Sequence, residues 1–112
     1  MKRIEMIVRP EKLEEIKDAL DRIGIGGMTV SSVLGCGVQK GRLEMYRGSE
    51  LPIMLLQKIK IEMVVKDEKV EQIISEVRKV VPTGSSGDGK LFVSEIAEAV
   101  RLRTGERGDA AL

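Results

Sequence analysis

Two stretches of the chain alternate apolar and polar residues, which is the pattern of a β-strand with one buried face. Between Lys58 and Val65, positions 59, 61, 63 and 65 are large and apolar, whereas positions 58, 60 and 62 are charged. Near the beginning of the sequence, Ile4, Met6 and Val8 have the same spacing. Each stretch is therefore predicted to form a strand.

Each predicted strand is followed by apolar residues at helical spacing. After the first strand, Pro10 suits the first turn of a helix, and Gly24 marks its end. The buried stripe of this helix is predicted to be Leu13, Ile16, Ala19, Leu20 and Ile23. After the second strand, Asp67 is predicted to be an N-cap. The second stripe is predicted to be Val70, Ile73, Ile74 and Val77.

The two strand–helix stretches are copies of one sequence unit. Arg3–Ile16 and Lys60–Ile73 are identical at eight of fourteen positions, with an offset of 57 residues. A weaker match relates Met28–Val33 to Leu91–Ile96 at an offset of 63 residues, and it predicts one more strand in each half. Two tandem β-α-β units predict an α+β, ferredoxin-like β-α-β-β-α-β fold in a single domain over residues 1–112.

Two segments depart from the repeat. The change of offset places six extra residues in the glycine-rich stretch Val81–Lys90. The halves are joined by roughly Gly35 to Gln57, a connection far longer than the few residues of a hairpin. Long loops in small domains are often functional, so these two segments are expected to carry the function.

Composition excludes several classes of protein. Nineteen basic and eighteen acidic residues give a net charge of +1, which argues against direct binding of nucleic acid. The chain has no histidine, and therefore no imidazole base and no ordinary histidine-ligated metal site. Aromatic residues make up only 2%, too few for a base-stacking platform.

The single cysteine and the hydropathy pattern indicate a cytoplasmic protein. Cys36 is the only cysteine, which excludes an intramolecular disulfide and fits a reducing compartment. A packed small thiol is favoured over a redox sensor at this position. No apolar run approaches the roughly 20 residues that a membrane span needs.

The glycine-rich stretch can bind an anion. Gly84–Lys90 satisfies the GxxxxGK pattern, but Leu91 stands where a P-loop has serine or threonine, and a strand is predicted to follow instead of a helix. A P-loop NTPase is therefore rejected. Closely spaced glycines still let main-chain N–H groups approach an anion, and Lys90 adds a positive charge. The alternative is a flexible turn with a solvated lysine.

Two arginines near the end of the sequence strengthen the case for a phosphate site. The alternation of Val100–Arg103 predicts that Arg101 and Arg103 share one strand face, where a polyphosphate would relieve their mutual repulsion. The alternative is ion pairing with Glu98 or Glu106. Together with Lys90, the arginines indicate a nucleotide phosphate site.

Four motifs resemble those of PII-type nitrogen-regulatory signal-transduction proteins over essentially the whole chain. They are Tyr46–Glu50, Lys60–Val64, Thr83–Lys90 and Arg101–Glu106. The resemblance implies a compact homotrimer and a non-enzymatic regulator of nitrogen metabolism, with ATP or ADP bound between neighbouring subunits. It also implies a T-loop over residues 37–55 that engages targets, a glycine-rich B-loop over residues 82–90, and a C-terminal segment over residues 101–112.

The resemblance also implies the residues of the binding sites. Those at the nucleotide are Gly35, Gly37, Glu62, Val64, Thr83, Gly87, Asp88, Gly89, Lys90, Arg101 and Arg103, of which the two arginines come from the adjacent subunit. Gln39 is expected to help hold Mg²⁺, through which 2-oxoglutarate is chelated. Lys58 is expected to pair with the far carboxylate of 2-oxoglutarate.

Three positions in or beside the T-loop concern regulation. Leu51 stands where the family has a uridylylated tyrosine, so that modification is expected to be absent. Ser49 matches a serine that is phosphorylated in some relatives. Val38 stands where many relatives have an arginine at the γ-phosphate, which leaves the preference between ATP and ADP open.

The expected partners follow from the same resemblance. They are an ammonium channel, glutamine synthetase or a nitrogen-responsive transcription regulator, with membrane contact only through a channel. Two other functions remain as alternatives at this point: a small nucleotide phosphotransferase or ATPase, and a purely structural trimer.

Overall fold

The computed structural model describes residues 1–38, 44–46, 49–51, 53–85 and 87–112, and it contains two helices and six strands within these ranges. Their order is β1 (Lys2–Val8), α1 (Leu13–Arg22), β2 (Thr29–Val38), β3 (Glu44–Tyr46), β4 (Ser49–Leu51), β5 (Ile53–Val65), α2 (Val70–Val80) and β6 (Gly89–Glu95). Within the described ranges, no helix is long and apolar enough to cross a bilayer.

Four strands form one antiparallel sheet in the order β2-β5-β1-β6. Met6 at the centre of β1 lies opposite Ile61 of β5 and Leu91 of β6. The equivalent strands of the two repeats, β1 and β5, are therefore neighbours in the middle of the sheet. This is the ferredoxin-like arrangement that the internal repeat predicts, and the fold class is confirmed. Strands β3 and β4 pair with each other in a separate two-stranded sheet.

The predicted apolar faces form the core. The alternating residues of β1 and β5 pack against residues of both helices, so the helices cover the same face of the sheet. The buried cluster consists of Ile4, Met6, Val8, Ile16, Leu20, Ile59, Ile61, Met63, Val65, Val70, Ile73, Val77 and Val81.

The opposite face of the sheet, called the open face below, carries the intervening residues. Lys60 lies at its centre and pairs with Glu5 at 3.3 Å and Glu62 at 3.5 Å. Among its apolar residues, Phe92 is 51% exposed. In the part of the chain that the structure describes, the residues of the open face are half-buried or exposed.

Both helices begin with a 3-10 turn, formed by Pro10–Lys12 and Asp67–Lys69. Pro10 occupies the first turn as predicted. The N-cap prediction at Asp67 is wrong, because Lys66 holds the cap position and no side chain caps it. The Asp67 carboxylate instead binds the Met1 ammonium at 2.8 Å, which fastens the start of β1 to the start of α2.

The predicted loop between the halves begins later and ends earlier than expected. Strand β2 continues to Val38, and β5 already begins at Ile53. The ladder between β1 and β5 ends at Ile59, so the preceding residues of β5 pair with β2 alone. The result is a two-stranded arm that extends beyond the central sheet. Cys36 lies in this arm and is exposed, so the prediction of a packed thiol is wrong.

Candidate functional site

A cavity of about 590 Å³ lies where the arm leaves the sheet, beside the glycine-rich loop. Ile7 of β1 and Phe92 of β6 contribute apolar side chains from the open face. Six predicted site residues also line this cavity: Gly35, Lys58, Gly87, Asp88, Gly89 and Lys90. The fold therefore brings the two non-repeating segments of the sequence together at one end of the sheet.

Asp88 organises the glycine-rich loop from within. Its carboxylate accepts hydrogen bonds from the main-chain N–H groups of Thr83 at 2.8 Å and Gly84 at 3.1 Å, and from the Thr83 hydroxyl. Arg9 approaches the same carboxylate at 3.5 Å. These hydrogen bonds lower the pKa of Asp88 to about 2, and the bond from the Thr83 hydroxyl has the largest effect. Asp88 is therefore an anion whose carboxylate holds the loop from within.

Gly89 brings the end of this loop against the sheet. Its φ of +116° lies in the region that favours glycine. A Cβ atom at this position would lie 2.2 Å from the main-chain oxygen of Ile7. Only glycine therefore allows β6 to begin directly beside the end of β1. This close approach fixes the position of the glycine-rich loop beside the cavity.

Lys58 connects the root of the arm to the loop. Its Nζ atom donates a hydrogen bond of 2.8 Å to the carbonyl oxygen of Gly87. Burial lowers the pKa of the Lys58 ammonium, and the nearby positive charge of Arg9 lowers it further. A Cβ at Gly35 would lie 3.0 Å from Cγ of Lys58, so glycine at this position leaves room for the lysine side chain.

Two further predicted residues lie along the open face and do not line the cavity. Glu62 is four residues beyond Lys58 on β5, which corresponds to about 13 Å at the rise of an extended strand. Val64 is two residues farther along the same face and is 36% exposed. Gly37 belongs to β2 and lies opposite Met54. Gln39 lies outside the described residues.

Arg101 and Arg103 lie in a turn, so the prediction that they share a strand face is wrong. Among residues 100–103, only Val100 takes part in a β-bridge, which it forms opposite Arg107. The turn is closed by two main-chain hydrogen bonds, from Arg101 to Glu106 and from Gly105 to Arg101. The alternative prediction of ion pairing is confirmed for Arg101, whose Nη1 atom lies 3.0 Å from Oε1 of Glu106.

The two arginines and the glycine-rich loop are at opposite ends of strand β6. The loop enters β6 at Gly89, whereas the chain leaves it at Glu95, about 20 Å away at the rise of a strand. Beyond that end, Ile96 donates a hydrogen bond to the main-chain oxygen of Met1. Neither arginine lines the cavity. One protomer therefore holds the predicted cations as two separated groups.

Comparison with known proteins decides the family. The family model described as Nitrogen regulatory protein P-II matches residues 1–106. Proteins of that name from Bradyrhizobium diazoefficiens and Rhodospirillum rubrum are 51% and 50% identical, over 96% and 100% of both chains respectively. The protein of that name from Porphyra purpurea is 51% identical over the full length of both chains. The chain belongs to the Nitrogen regulatory protein P-II family.

Membership of the P-II family establishes the general function. P-II proteins are regulators in nitrogen signal transduction and not enzymes, so this chain is a signalling regulator. The family also implies binding of nucleotides and effectors in general, together with regulatory interaction with target proteins. The alternative of a phosphotransferase or ATPase is thereby set aside.

Sequence reasoning missed several residues at the cavity of this P-II chain. Arg9 contacts Asp88, although it lies just beyond the end of β1 in the sequence. Ile7 and Phe92 line the cavity but belong to none of the four sequence motifs. The alternation along β1 and β6 places Ile7 and Phe92 on the open face, so it is the sequence signal that identifies them. The position of Arg9 depends on how the loop folds back.

Proposed function

We propose that this P-II chain senses adenine nucleotides and 2-oxoglutarate, and that it controls target proteins through residues 37–55, the proposed T-loop. ATP or ADP binds at the cavity, and 2-oxoglutarate binds only together with Mg-ATP. The observation that carries this proposal is the separation of the glycine-rich loop from Arg101 and Arg103. In this proposal the phosphates are bound by groups from both ends of the sheet, and therefore by residues of two protomers.

A homotrimer completes the site in this proposal. The C-terminal segment (residues 101–112) of one subunit supplies Arg101 and Arg103 to the B-loop (residues 82–90) of its neighbour. The open face supports this assembly because it combines apolar residues such as Phe92 with the charged group around Lys60. A face of this kind is suited to burial between identical subunits.

The cavity fits a nucleotide in size and chemistry. A volume of about 590 Å³ lies within the usual range for small-molecule sites. Lys90 can offset the negative charge of the phosphates, and the main-chain N–H groups of Gly87, Asp88 and Gly89 can donate hydrogen bonds to phosphate oxygens. The hydrogen bonds between Thr83 and the Asp88 carboxylate stabilise the conformation of the loop. Gly35 borders the nucleotide within the cavity. The proposed contacts of Gly37, Glu62 and Val64 with its nucleoside end lie outside the cavity.

The proposed Mg²⁺ ion takes most of its oxygen ligands from the bound nucleotide and 2-oxoglutarate, because the protein supplies few. The described residues contain no group of three histidine, cysteine, aspartate or glutamate side chains that could hold a metal ion. Mg²⁺ commonly binds through few protein groups together with phosphate oxygens. Gln39 is the proposed protein ligand, and Lys58 binds the far carboxylate of 2-oxoglutarate.

In the proposed regulation, the protein with bound Mg-ATP and 2-oxoglutarate and the protein with bound ADP have different affinities for target proteins. Lys58 belongs to β5, whose first residues form the arm that leads into the T-loop. Contacts at Lys58 and at the B-loop therefore bias the arrangement of the T-loop. The proposed targets are an ammonium channel, glutamine synthetase or a nitrogen-responsive transcription regulator. A cytoplasmic location and phosphorylation of Ser49 belong to the same proposal.

Titration calorimetry with ADP tests the nucleotide site. We expect one ADP per protomer of a trimer, with binding strongly weakened in Lys90→Ala. Lys79→Ala is the matched control, because Lys79 lies on α2 and pairs with Glu76. A wild-type protein that is trimeric but does not bind ADP or ATP contradicts the proposal. Equal loss of binding in both variants contradicts the assignment of Lys90.

A further inference from the structure

Glu106 holds Arg101 through both its main chain and its side chain. The Glu106 carbonyl oxygen accepts a hydrogen bond of 2.8 Å from the main-chain N–H of Arg101. The Oε1 atom of the same residue accepts one of 3.0 Å from Nη1 of Arg101. The guanidinium is thus fastened to the residue that closes its own turn.

The Glu106 carboxylate is also fixed by a contact other than that with Arg101. The Thr104 hydroxyl donates a hydrogen bond of 2.8 Å to the same Oε1 atom. Gly105, with a φ of +77°, permits the tight turn that brings residues 104 and 106 together. The Oε1 atom of Glu106 therefore has two partners within the turn, and through it the turn orients the longer arginine side chain.

The Arg101 guanidinium still has N–H groups available for a ligand while it is bound to Glu106. It has five N–H groups, of which one points to Glu106. Nη2 makes a longer contact of 3.4 Å with the main-chain oxygen of Leu112. Three N–H groups remain, and the side chain is 38% exposed. An arginine held in this way loses less conformational freedom when it binds an anion than a free one does.

The geometry points to Glu106 as a positioning residue of the anion site: it orients Arg101 for contact with the phosphates of a nucleotide. This inference rests on the proposed function, in which Arg101 reaches a nucleotide in the neighbouring subunit. Glu106 does not touch the nucleotide and acts only through the arginine. In this inference the ion pair between Arg101 and Glu106 is kept when the nucleotide is bound.

A double-mutant cycle with ATP tests this role. Glu106→Ala should weaken ATP binding about tenfold, within the range of couplings measured between residues of one hydrogen-bond network. Glu106→Gln should fall between wild type and Glu106→Ala, because its amide oxygen still accepts a hydrogen bond from Arg101. In an Arg101→Ala background, Glu106→Ala should cause no further loss. Circular dichroism and sedimentation establish that each variant is folded and assembled as the wild type.

Glu98→Ala is the matched control. Glu98 precedes the C-terminal segment and pairs with Arg107 of that segment at 3.5 Å. It also accepts hydrogen bonds from the main-chain N–H groups of Ala99 and Gly108. Its removal should leave ATP affinity close to that of the wild type. Equal loss in Glu98→Ala indicates general loosening of the segment and overturns the inference.

The remaining outcomes are also decisive. Tighter ATP binding in Glu106→Ala or Glu106→Gln means that Glu106 competes with the phosphates, and it overturns the positioning role. Unchanged binding in Glu106→Ala overturns it as well. Absence of ATP binding in the wild type overturns the proposed function itself, and this result is distinguishable from the others because it needs no variant.

Discussion

The Lys58 ammonium donates a hydrogen bond of 2.8 Å to the carbonyl oxygen of Gly87, and it thereby joins the arm to the B-loop. Lys58 is the last residue of β5 before the ladder with β1 begins at Ile59. A lysine ammonium has three N–H donors, so two remain for another acceptor. A carboxylate bound at Lys58 is therefore linked directly to the loop that is proposed to hold phosphate.

Replacement of this lysine should separate the two proposed ligands. Lys58→Ala is expected to weaken 2-oxoglutarate binding strongly, because it removes the only cation proposed for the far carboxylate. ADP affinity should change far less, since the loop loses one hydrogen bond, a net contribution of about 1 kcal/mol. Calorimetric titrations of each ligand measure both effects.

The control for Lys58→Ala is Lys66→Ala, which removes an exposed lysine just beyond the end of β5. It should leave both affinities unchanged. A Lys58→Ala protein that binds Mg-ATP and 2-oxoglutarate as tightly as the wild type would refute the role of this residue.

The ionisation of Asp88 should make stability depend on pH in the acid range. The folded state holds the pKa of Asp88 at about 2, below the ordinary 3.8. The carboxylate therefore stabilises the folded protein above about pH 3.8, and this contribution is lost as the pH falls to about 2. Asp88→Asn removes the contribution at every pH.

Urea unfolding of wild type and Asp88→Asn, from neutral to acid pH and at one protein concentration, measures this dependence. The wild type should be more stable at neutral pH, and the difference should shrink below about pH 3.8. Thr83→Val should show a smaller version of the same loss, because it removes only the hydroxyl donor. A difference that stays constant down to the lowest pH is inconsistent with this role of Asp88.

Two glycines of the B-loop should respond differently to alanine. Gly84 has a φ of +87° and open space where a Cβ would lie, so Gly84→Ala should cost only the left-handed strain of about 1–2 kcal/mol. Gly89→Ala adds a contact of 2.2 Å with the main chain of Ile7 and should cost more than about 3 kcal/mol.

The two free energies of unfolding, measured by urea denaturation, provide the comparison. Gly89→Ala should also lose ADP binding, because the start of β6 must move away from β1. Equal destabilisation by the two substitutions would show that the close approach at Gly89 is unimportant.

The core and the topology could be predicted because they follow from periodicity. The alternation around Ile61 and the helical stripe around Ile16 each select one buried face. The repeat then requires two equivalent β-α-β units, which fixes the class of fold. The N-cap prediction at Asp67 is wrong because its carboxylate forms an ion pair with Met1, a residue distant in sequence.

The candidate site could be predicted only in part. Glycine spacing and Lys90 indicated the loop, but the inward orientation of Asp88 depends on the folded path from Thr83 to Gly89. The alternation of Val100–Arg103 predicts a strand, whereas the main-chain hydrogen bonds that join Arg101 to Glu106 and Gly105 close a turn there. Hydrophobic periodicity over four residues is too short to distinguish these two structures.

Calorimetry with 2-oxoglutarate is the most direct test of the proposed sensor. Wild-type trimer should bind 2-oxoglutarate when Mg-ATP is present, and it should not bind 2-oxoglutarate with ADP or with Mg²⁺ alone. Gln39→Ala should abolish 2-oxoglutarate binding while the protein still binds ATP. Binding of 2-oxoglutarate that is independent of nucleotide, or no binding of either ligand, would contradict the account.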